Sequence, residues 1–338
     1  MYNSSRAPLA GAVPLDCGIL ISFHQENDLT GETILVTGGA GFIGSHIVNT
    51  YVAAGHRVVV VDNLRTGKRE NIHPEARFYH ADICDQGALR RIFADERPDT
   101  VCHHAALADV RASLADPVAY TQVNVVGTLN LLQAARAQGG VKRFVFASTG
   151  GAVYGEPATL PASEECPPRP LDPYGASKLS CEHFIDTYRH NHGLDFTILR
   201  YSNVYGPRQD PTGEAGVVAI FTAGMLANRE VMIHGDGCQQ RDFVYVEDVA
   251  RANLLALNTR GSSVFNVGTG VATDINTIFH WLGQLTGYAL PERHGPPKPG
   301  EVRAIYLDCS RARQELGWVP QTALTEGLAR TVAFFRGS

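Results

Sequence analysis

The chain has 338 residues, 44% of them hydrophobic, and a formal net charge of −5, which is an ordinary globular composition. Its basic residues are dispersed, so we expect neither a nucleic-acid footprint nor a polybasic membrane patch. Seven cysteines without a Cys-x-x-Cys pair indicate reduced thiols in a cytoplasmic protein. No stretch approaches the ~20 apolar residues of a membrane span. We therefore expect small-molecule chemistry, without a metal site.

A glycine-rich turn follows the first predicted strand. Residues 1–32 form an N-terminal extension, and the stretch TGGAGFIGSH then places Gly38, Gly41 and Gly44 between an apolar run and a helical pattern. The next strand, RVVVVD, closes on Asp62, 18 residues after Gly44 and near the ~20 expected of a ribose-binding acid. This combination predicts a dinucleotide site, and the carboxylate favours NAD over NADP.

Strand and helix patterns alternate over residues 33–204. Apolar runs such as RFVFAST and FTILRY are typical of parallel strands covered on both faces. We predict an α/β fold, a Rossmann-type doubly wound parallel sheet that binds NAD. Gly/Pro-rich connections from residue 205 indicate a smaller α/β lobe over 205–338, from which later strands and helices return to the sheet.

A tyrosine and a lysine in PYGASK are candidates for proton transfer. Tyr174 and Lys178 are four residues apart, so they share one face of a helix. An ammonium beside a phenol favours the phenolate and lowers its pKa. We therefore expect Tyr174 to act as a general base toward an alcohol.

Together these motifs resemble the extended short-chain dehydrogenases/reductases, in particular the NAD-dependent epimerase/dehydratase group and its UDP-glucose 4-epimerases. The resemblance runs from about residue 33 to the C-terminus. It is carried by GGAGFIG, VDNL, HHAA, NVVGT, STGGAVYG, YGASK, RYSNVYGPRQDP, QQRDFVYVEDVA and FNVGTG.

The resemblance implies a set of binding residues. For the cofactor these are Gly38, Gly41, Phe42, Ile43, Gly44, Asp62, Asn63, Asp82, Ile83, Ala105, Ala106, Asn124, Tyr174, Lys178 and Tyr201. For a nucleotide sugar they are Asn203, Gly216, Val217, Val218, Arg241, Lys298, Glu301 and Ile305. Asp82 and Ile83 would flank the adenine, and Ile305 stands where relatives gate the C2 substituent of the sugar.

The third catalytic group is a hydroxyl in STGGAVYG. Many relatives place it four residues before the tyrosine of YG, but that position is Gly150. Thr149 lies 25 residues before Tyr174, the usual spacing in the family, so we assign Thr149, with Ser148 as the substitute. Dehydratases and decarboxylases carry a carboxylate in this loop, and TGGA has none.

The resemblance thus implies 4-epimerisation of UDP-glucose or UDP-galactose. Tyr174 would take the proton of the 4-hydroxyl while hydride passes from C4 to NAD, and the 4-keto sugar would turn over before hydride returns. A UDP-N-acetylglucosamine 4-epimerase, a nucleotide-sugar reductase or dehydrogenase, and a non-catalytic NAD-binding protein are the alternatives. Residues 124–138 and 174–191 match the helices that pair subunits in the family, which implies a homodimer.

Overall fold

The structure is a computed structural model that describes residues 31–212, 216–298 and 302–337. Residues 1–30 of the predicted extension, and Glu301, lie outside the described residues. None of the described helices combines the length and the apolar character needed to cross a membrane.

Strands and helices alternate through the first two thirds of the chain. The strands here are β1 (Thr33–Thr37), β2 (Arg57–Asp62), β3 (Arg77–His80), β4 (Thr100–His103), β5 (Arg143–Thr149), β6 (Asp195–Tyr201) and β7 (Asn203–Tyr205). The helices are α1 (Phe42–Ala53), α2 (Gln86–Glu96), α3 (Val110–Ala115), α4 (Pro117–Tyr120), α5 (Gly127–Gln138), α6 (Gly150–Val153) and α7 (Pro173–His192). A 3-10 turn spans Arg69–Asn71, and a π-helical segment, Thr121–Val126, joins α4 to α5.

Shorter elements make up the rest of the chain. They are α8 (Val217–Leu226), β8 (Met232–His234), β9 (Gln240–Tyr245), α9 (Val246–Ala256), β10 (Ser263–Val267), β11 (Ala272–Asp274), α10 (Ile275–Thr286), β12 (Arg293–Gly295), β13 (Ala304–Ile305), α11 (Ser310–Glu315) and α12 (Leu324–Arg336).

The main sheet is parallel and buried on both faces. Within the described residues it has seven strands, in the order β10-β6-β5-β4-β1-β2-β3. Alternate residues of β1 enter opposite cores: Ile34 and Val36 pack with α1 and α9, and Leu35 packs with α2, α5 and α7. This two-sided burial explains the continuous apolar runs, and it agrees with the predicted doubly wound fold.

The smaller lobe is built around β9. This strand pairs with β7 and β13 in parallel and with β11 in antiparallel fashion, while β8 pairs with β12. Helices α8, α10 and α12 form a separate core on this lobe. The chain then returns to the main sheet, because α9 packs on α1 and β10 pairs with β6.

Helix α7 has clear start and stop signals. Asp172 accepts a hydrogen bond from the Gly175 amide at 2.7 Å, and Pro173 occupies the first turn. Gly193, at φ +71°, ends the helix in the left-handed region. The helix therefore begins just before Tyr174, beside the carboxyl ends of β5 and β6.

The third glycine of the turn is required by packing. A Cβ on Gly44 would lie 2.2 Å from the Gly38 carbonyl oxygen, which is a backbone atom and cannot swing away. Gly283, inside α10, has open space around the same position. The two glycines therefore form a matched pair for substitution by alanine.

We expect Gly44→Ala to lower the free energy of unfolding by about 1–3 kcal/mol, since the added methyl group overpacks the turn. Gly283→Ala should raise it by about 0.5–1 kcal/mol, because alanine costs less backbone entropy in a helix. Urea unfolding of both variants and the unaltered chain, without added ligand, measures the difference. A Gly44→Ala variant as stable as the unaltered chain would contradict the packing argument.

Candidate active site

The glycine turn forms an anion site at the start of α1. Gly41 precedes the helix, and the first turn carries no acidic residue. The amides of Phe42 and Ile43 belong to this turn, where helix N–H groups have no acceptor within the helix. Helix N-termini of this kind bind phosphate groups.

The turn lies against the end of β4. A Cβ on Gly38, whose φ is +70°, would be 2.7 Å from the Ala105 nitrogen. The Thr37 hydroxyl accepts hydrogen bonds from the amides of His104 and Ala105, each at 3.2 Å. Three predicted cofactor residues, Gly38, Ala105 and the adjacent half-buried Ala106, therefore lie at one edge of the sheet.

Acidic side chains lie at the ends of β2 and β3. Asp62 is buried and accepts a hydrogen bond from the Ala40 amide at 3.0 Å, which ties it to the glycine turn. A carboxylate has further lone pairs for ribose hydroxyls. Asn63 donates to Asp82 at 2.7 Å, and Ile83 is buried beside them. These four predicted residues are neighbours on the outer side of the turn.

Asn124 joins the loop after β4 to the catalytic helix. Its side chain pairs with the backbone of Leu107, accepting from the amide at 2.8 Å and donating to the carbonyl at 3.0 Å. It also donates to the Ser177 hydroxyl at 2.9 Å, which in turn donates to the Tyr174 carbonyl at 2.7 Å. Asn124 therefore fixes the backbone around the predicted nicotinamide site.

The candidate catalytic residues come together where β5 meets α7. The Thr149 hydroxyl lies close enough to the Tyr174 phenol to lower the pKa of that phenol. Lys178 donates to the Ala147 carbonyl at 2.9 Å, and its ammonium lies 4.8 Å from the centre of the Phe146 ring. The Ser148 hydroxyl instead donates to the buried Glu182 carboxylate at 2.5 Å.

The electrostatics differ from the expected lowering of the phenol pKa. Burial, with a smaller contribution from the Asp172 charge, raises the pKa of Tyr174, against the effect of the Thr149 hydrogen bond. Burial also lowers the pKa of Lys178 to about 8, and Cys181 and Glu182 oppose that shift. The physical reason is that Lys178 directs its ammonium toward Ala147 and is itself desolvated.

A polar network behind the site was missed by the sequence analysis. His104 Nε2 is 3.0 Å from the Tyr201 hydroxyl, which accepts a hydrogen bond from Asn253 on α9 at 2.8 Å. Burial and the Lys178 charge lower the pKa of His104 to about 3, so the ring is neutral. The available signal was a pair of histidines, His103 and His104, at the end of a buried strand. Tyr201, a predicted cofactor residue, is thereby held in place.

The smaller lobe carries the predicted nucleotide-sugar residues. Asn203 begins β7 and pairs with Phe243 of β9, while Arg241 on β9 pairs with Ile305 of β13. The same lobe contains a cavity of about 590 Å³. It is lined by His234, Gly235, Asp236, Gln239, His294, Gly295, Pro297, Lys298 and Arg303. The predicted diphosphate residue Lys298 therefore borders the cavity.

Other predicted substrate residues are partly or fully buried. Gly216 and Val217 begin α8, and the Val218 side chain is buried in the core of the smaller lobe. Ile305 is 3% exposed and packs in a cluster with Val153 and Tyr154. Their predicted contacts with a substrate stay predictions.

The sequence matches the NAD dependent epimerase/dehydratase family over residues 34–268. The chain belongs to this family. The matched range runs from β1 to the turn after β10, so it includes the glycine turn, both candidate catalytic segments and Arg241.

Individual members of the family are closely similar to the chain. A putative UDP-glucose 4-epimerase of Methanocaldococcus jannaschii is 47% identical over 306 residues, which cover 90% of this chain and 99% of that protein. The crystal structure of a Thermotoga maritima UDP-glucose 4-epimerase with UDP-glucose is 49% identical, with a TM-score of 0.89 and coverage of 90% and 99%. A Thermus thermophilus UDP-glucose 4-epimerase in complex with NAD is 46% identical, with a TM-score of 0.87 and the same coverage. The predicted Rossmann-type fold is confirmed.

The residues of this family member fit NAD. Gly38 and Gly44 let the turn pack closely on itself and on the end of β4, which gives the tight strand-to-helix turn of dinucleotide-binding folds. The amides at the start of α1 can donate hydrogen bonds to a pyrophosphate, and Asp62 closes the neighbouring strand. The resident cofactor of the family is thus matched by this chain's own donor and acceptor groups.

Proposed function

We propose that this chain is an isomerase, an NAD-dependent UDP-glucose 4-epimerase. The observation that carries the proposal is the approach of the Thr149 hydroxyl to the Tyr174 phenol at the carboxyl end of β5. Such a pair can transfer a proton at the same edge of the sheet as the glycine turn. Residues 149–152 carry no carboxylate, so the loop offers no second acid or base for dehydration or decarboxylation. The similar UDP-glucose 4-epimerases support the same reaction.

The chain's own residues move and hold the proton. NAD, when bound, supplies the hydride acceptor and donor for C4 and a positive charge that favours the phenolate. Tyr174 takes the proton of the 4-hydroxyl and later returns it, and Thr149 donates a hydrogen bond to the phenolate. We assign the role of partner hydroxyl to Thr149, because the Ser148 hydroxyl is bonded to Glu182.

We propose that the two lobes divide the binding. Residues 33–204, with the returning α9 and β10, hold NAD, and residues 205–338 mainly hold the nucleotide sugar. Arg241 and Lys298 supply positive charge for the diphosphate. Arg303 forms a two-pronged ion pair with Asp236, at 2.7 and 3.0 Å, so its guanidinium is already engaged. If the protein binds mainly the nucleotide part of the substrate, the hexose can turn over between the two hydride transfers.

We also propose that this chain is located in the cytoplasm. The described cysteines, which exclude Cys17, are all free thiols, as is usual in a reducing compartment. Cell fractionation tests this assignment, and recovery of the chain outside the cytoplasm would overturn it.

We also propose a homodimer in which α5 and α7 of two copies pair. Phe184 on α7 is 39% exposed, and on the adjoining α3 and α4, Leu114 and Val118 are 62% and 75% exposed. Burial of this apolar surface would favour association. The surface is continuous with the helix that carries Tyr174, so pairing would also brace the catalytic helix.

We expect the chain to elute with twice its monomer mass of 36.5 kDa in size-exclusion chromatography with light scattering. Phe184→Asp should shift it toward the monomer, because a charge would enter the paired helices. Phe334→Asp on α12, a residue with the same 39% exposure, is the control and should leave the mass unchanged. A monomeric unaltered chain would overturn the assembly.

The reaction is tested by incubating the purified chain with UDP-glucose, and separately with UDP-N-acetylglucosamine, without added cofactor. NMR of the sugar should reveal the galacto product, and NADH absorbance should show no net change, since the cofactor ends each cycle as it began. Stoichiometric NADH would favour the reductase or dehydrogenase reading. No conversion of either sugar, even with added NAD, would refute the epimerase assignment.

The catalytic hydroxyl is tested by three variants. Thr149→Ala should lower kcat by about 100-fold, the effect typical of removing one transition-state hydrogen-bond donor, and Thr149→Ser should retain most of the activity. Ser148→Ala should lower kcat by less than about tenfold, since it loses one supporting hydrogen bond. Equal losses for Ser148→Ala and Thr149→Ala would rule out the assignment to Thr149.

A further inference from the structure

A buried ion pair lies directly beneath the candidate catalytic hydroxyls. Arg200 on β6 donates to both carboxylate oxygens of Glu182 on α7, at 2.6 and 3.0 Å. The two side chains are only 7% and 6% exposed. Burying two charges brings little or no net stability compared with an apolar core, so the geometry that the pair imposes is its main consequence.

Glu182 continues a row of contacts between α7 and β5. Tyr174, Lys178 and Glu182 are each four residues apart, on one face of the helix. They face three consecutive residues at the end of β5: Lys178 donates to the Ala147 carbonyl, Glu182 accepts from the Ser148 hydroxyl, and Tyr174 lies close to the Thr149 hydroxyl. The row therefore fixes the end of β5 along the helix axis.

Arg200 fixes the same segment from the sheet side. It is the cross-strand partner of Ser148 in the register of β5 and β6. Its guanidinium also donates to the Tyr154 hydroxyl at 2.9 Å. Tyr154 directly follows α6, the short helix that begins after Thr149. Arg200 therefore contacts the C-terminal end of this loop, and Glu182 contacts its N-terminal end through Ser148.

The contacts extend from this loop toward the smaller lobe. The Tyr154 hydroxyl donates to the Asn266 side chain at 2.8 Å. Asn266 in turn donates to the carbonyls of Ala162 and Asp308, at 2.9 and 3.1 Å. Asp308 follows β13 by three residues, so the ion pair is linked to the strand that carries Ile305.

We propose that Glu182 and Arg200 are positioning residues that hold the Thr149 hydroxyl in register with the Tyr174 phenol. The inference rests on the proposed epimerase function, in which the Thr149 hydroxyl assists proton transfer at Tyr174. Both side chains are buried beneath the loop, so we assign them a positioning role and no direct part in the reaction. Their effect is transmitted through Ser148 at one end of the loop and Tyr154 at the other.

The main test is Glu182→Gln, which keeps the shape of the side chain but removes the charge that orients Arg200. We expect kcat for UDP-glucose to fall about 10- to 100-fold, the effect of a small misplacement of reacting groups. KM should change less than about threefold, because the nucleotide contacts are distant. A crystal structure of the variant should have the Thr149 hydroxyl and the Tyr174 phenol beyond hydrogen-bond distance.

Asp248→Asn is the matched control. Asp248 is a buried carboxylate on α9, paired with Arg251 at 2.7 Å and bonded to the amides of Gln321 and Thr322, away from the catalytic loop. This variant should lose stability and keep its kcat. If it loses kcat as Glu182→Gln does, destabilisation alone explains the effect and the positioning role is refuted.

Tyr154→Phe covers the case in which Glu182→Gln does not fold. It removes one hydroxyl and leaves the ion pair intact, so we expect a folded protein with kcat about three- to tenfold lower and KM unchanged. An unchanged kcat in Tyr154→Phe, or an intact Thr149–Tyr174 hydrogen bond in crystalline Glu182→Gln, would overturn the proposal. If the unaltered chain does not epimerise any UDP-sugar, the proposed function fails, while the crystallographic comparison still decides the positioning role.

Discussion

The site depends on the close approach of two backbone segments, the glycine turn after β1 and the end of β4. The Thr37 hydroxyl accepts hydrogen bonds from the amides of His104 and Ala105. The two segments are so close that there is no space for a side chain on Gly38. Because the strands are parallel, the same edge also receives the ends of β5 and β6. The glycine turn and the strand end that carries Thr149 therefore lie at the same edge of the sheet.

The position of the candidate catalytic residue Tyr174 is set by a helix, α7, rather than by a loop. Asp172 and Pro173 begin α7 one residue before Tyr174, and contacts at successive turns tie the helix to β5. Burial makes Tyr174 a weaker acid and Lys178 a weaker base than in water. Both shifts disfavour charge, so a phenolate needs a positive charge beyond what Lys178 supplies. A bound oxidised nicotinamide would supply that charge.

Local patterns in the sequence predicted the parallel sheet, the glycine turn and the placement of Tyr174 and Lys178 on one helix, because strand periodicity, glycine spacing and helix geometry are short-range properties. The predicted lowering of the Tyr174 pKa was wrong. Burial raises this pKa, and burial depends on residues that are far apart in the chain. The link between His104, Tyr201 and Asn253 was missed for the same reason: its members lie just after β4, on β6 and on α9. Such partners are set by tertiary packing.

The departure at Gly150 has a steric explanation in the smaller lobe. A Cβ at this position would lie 2.6 Å from a terminal methyl of Leu307, which is itself buried. A side chain at position 150 would therefore require the buried Leu307 side chain to move, whereas position 149, one residue earlier, is only partly buried. The segment that follows β13 thus favours glycine at position 150, which is consistent with the proposed role of the Thr149 hydroxyl.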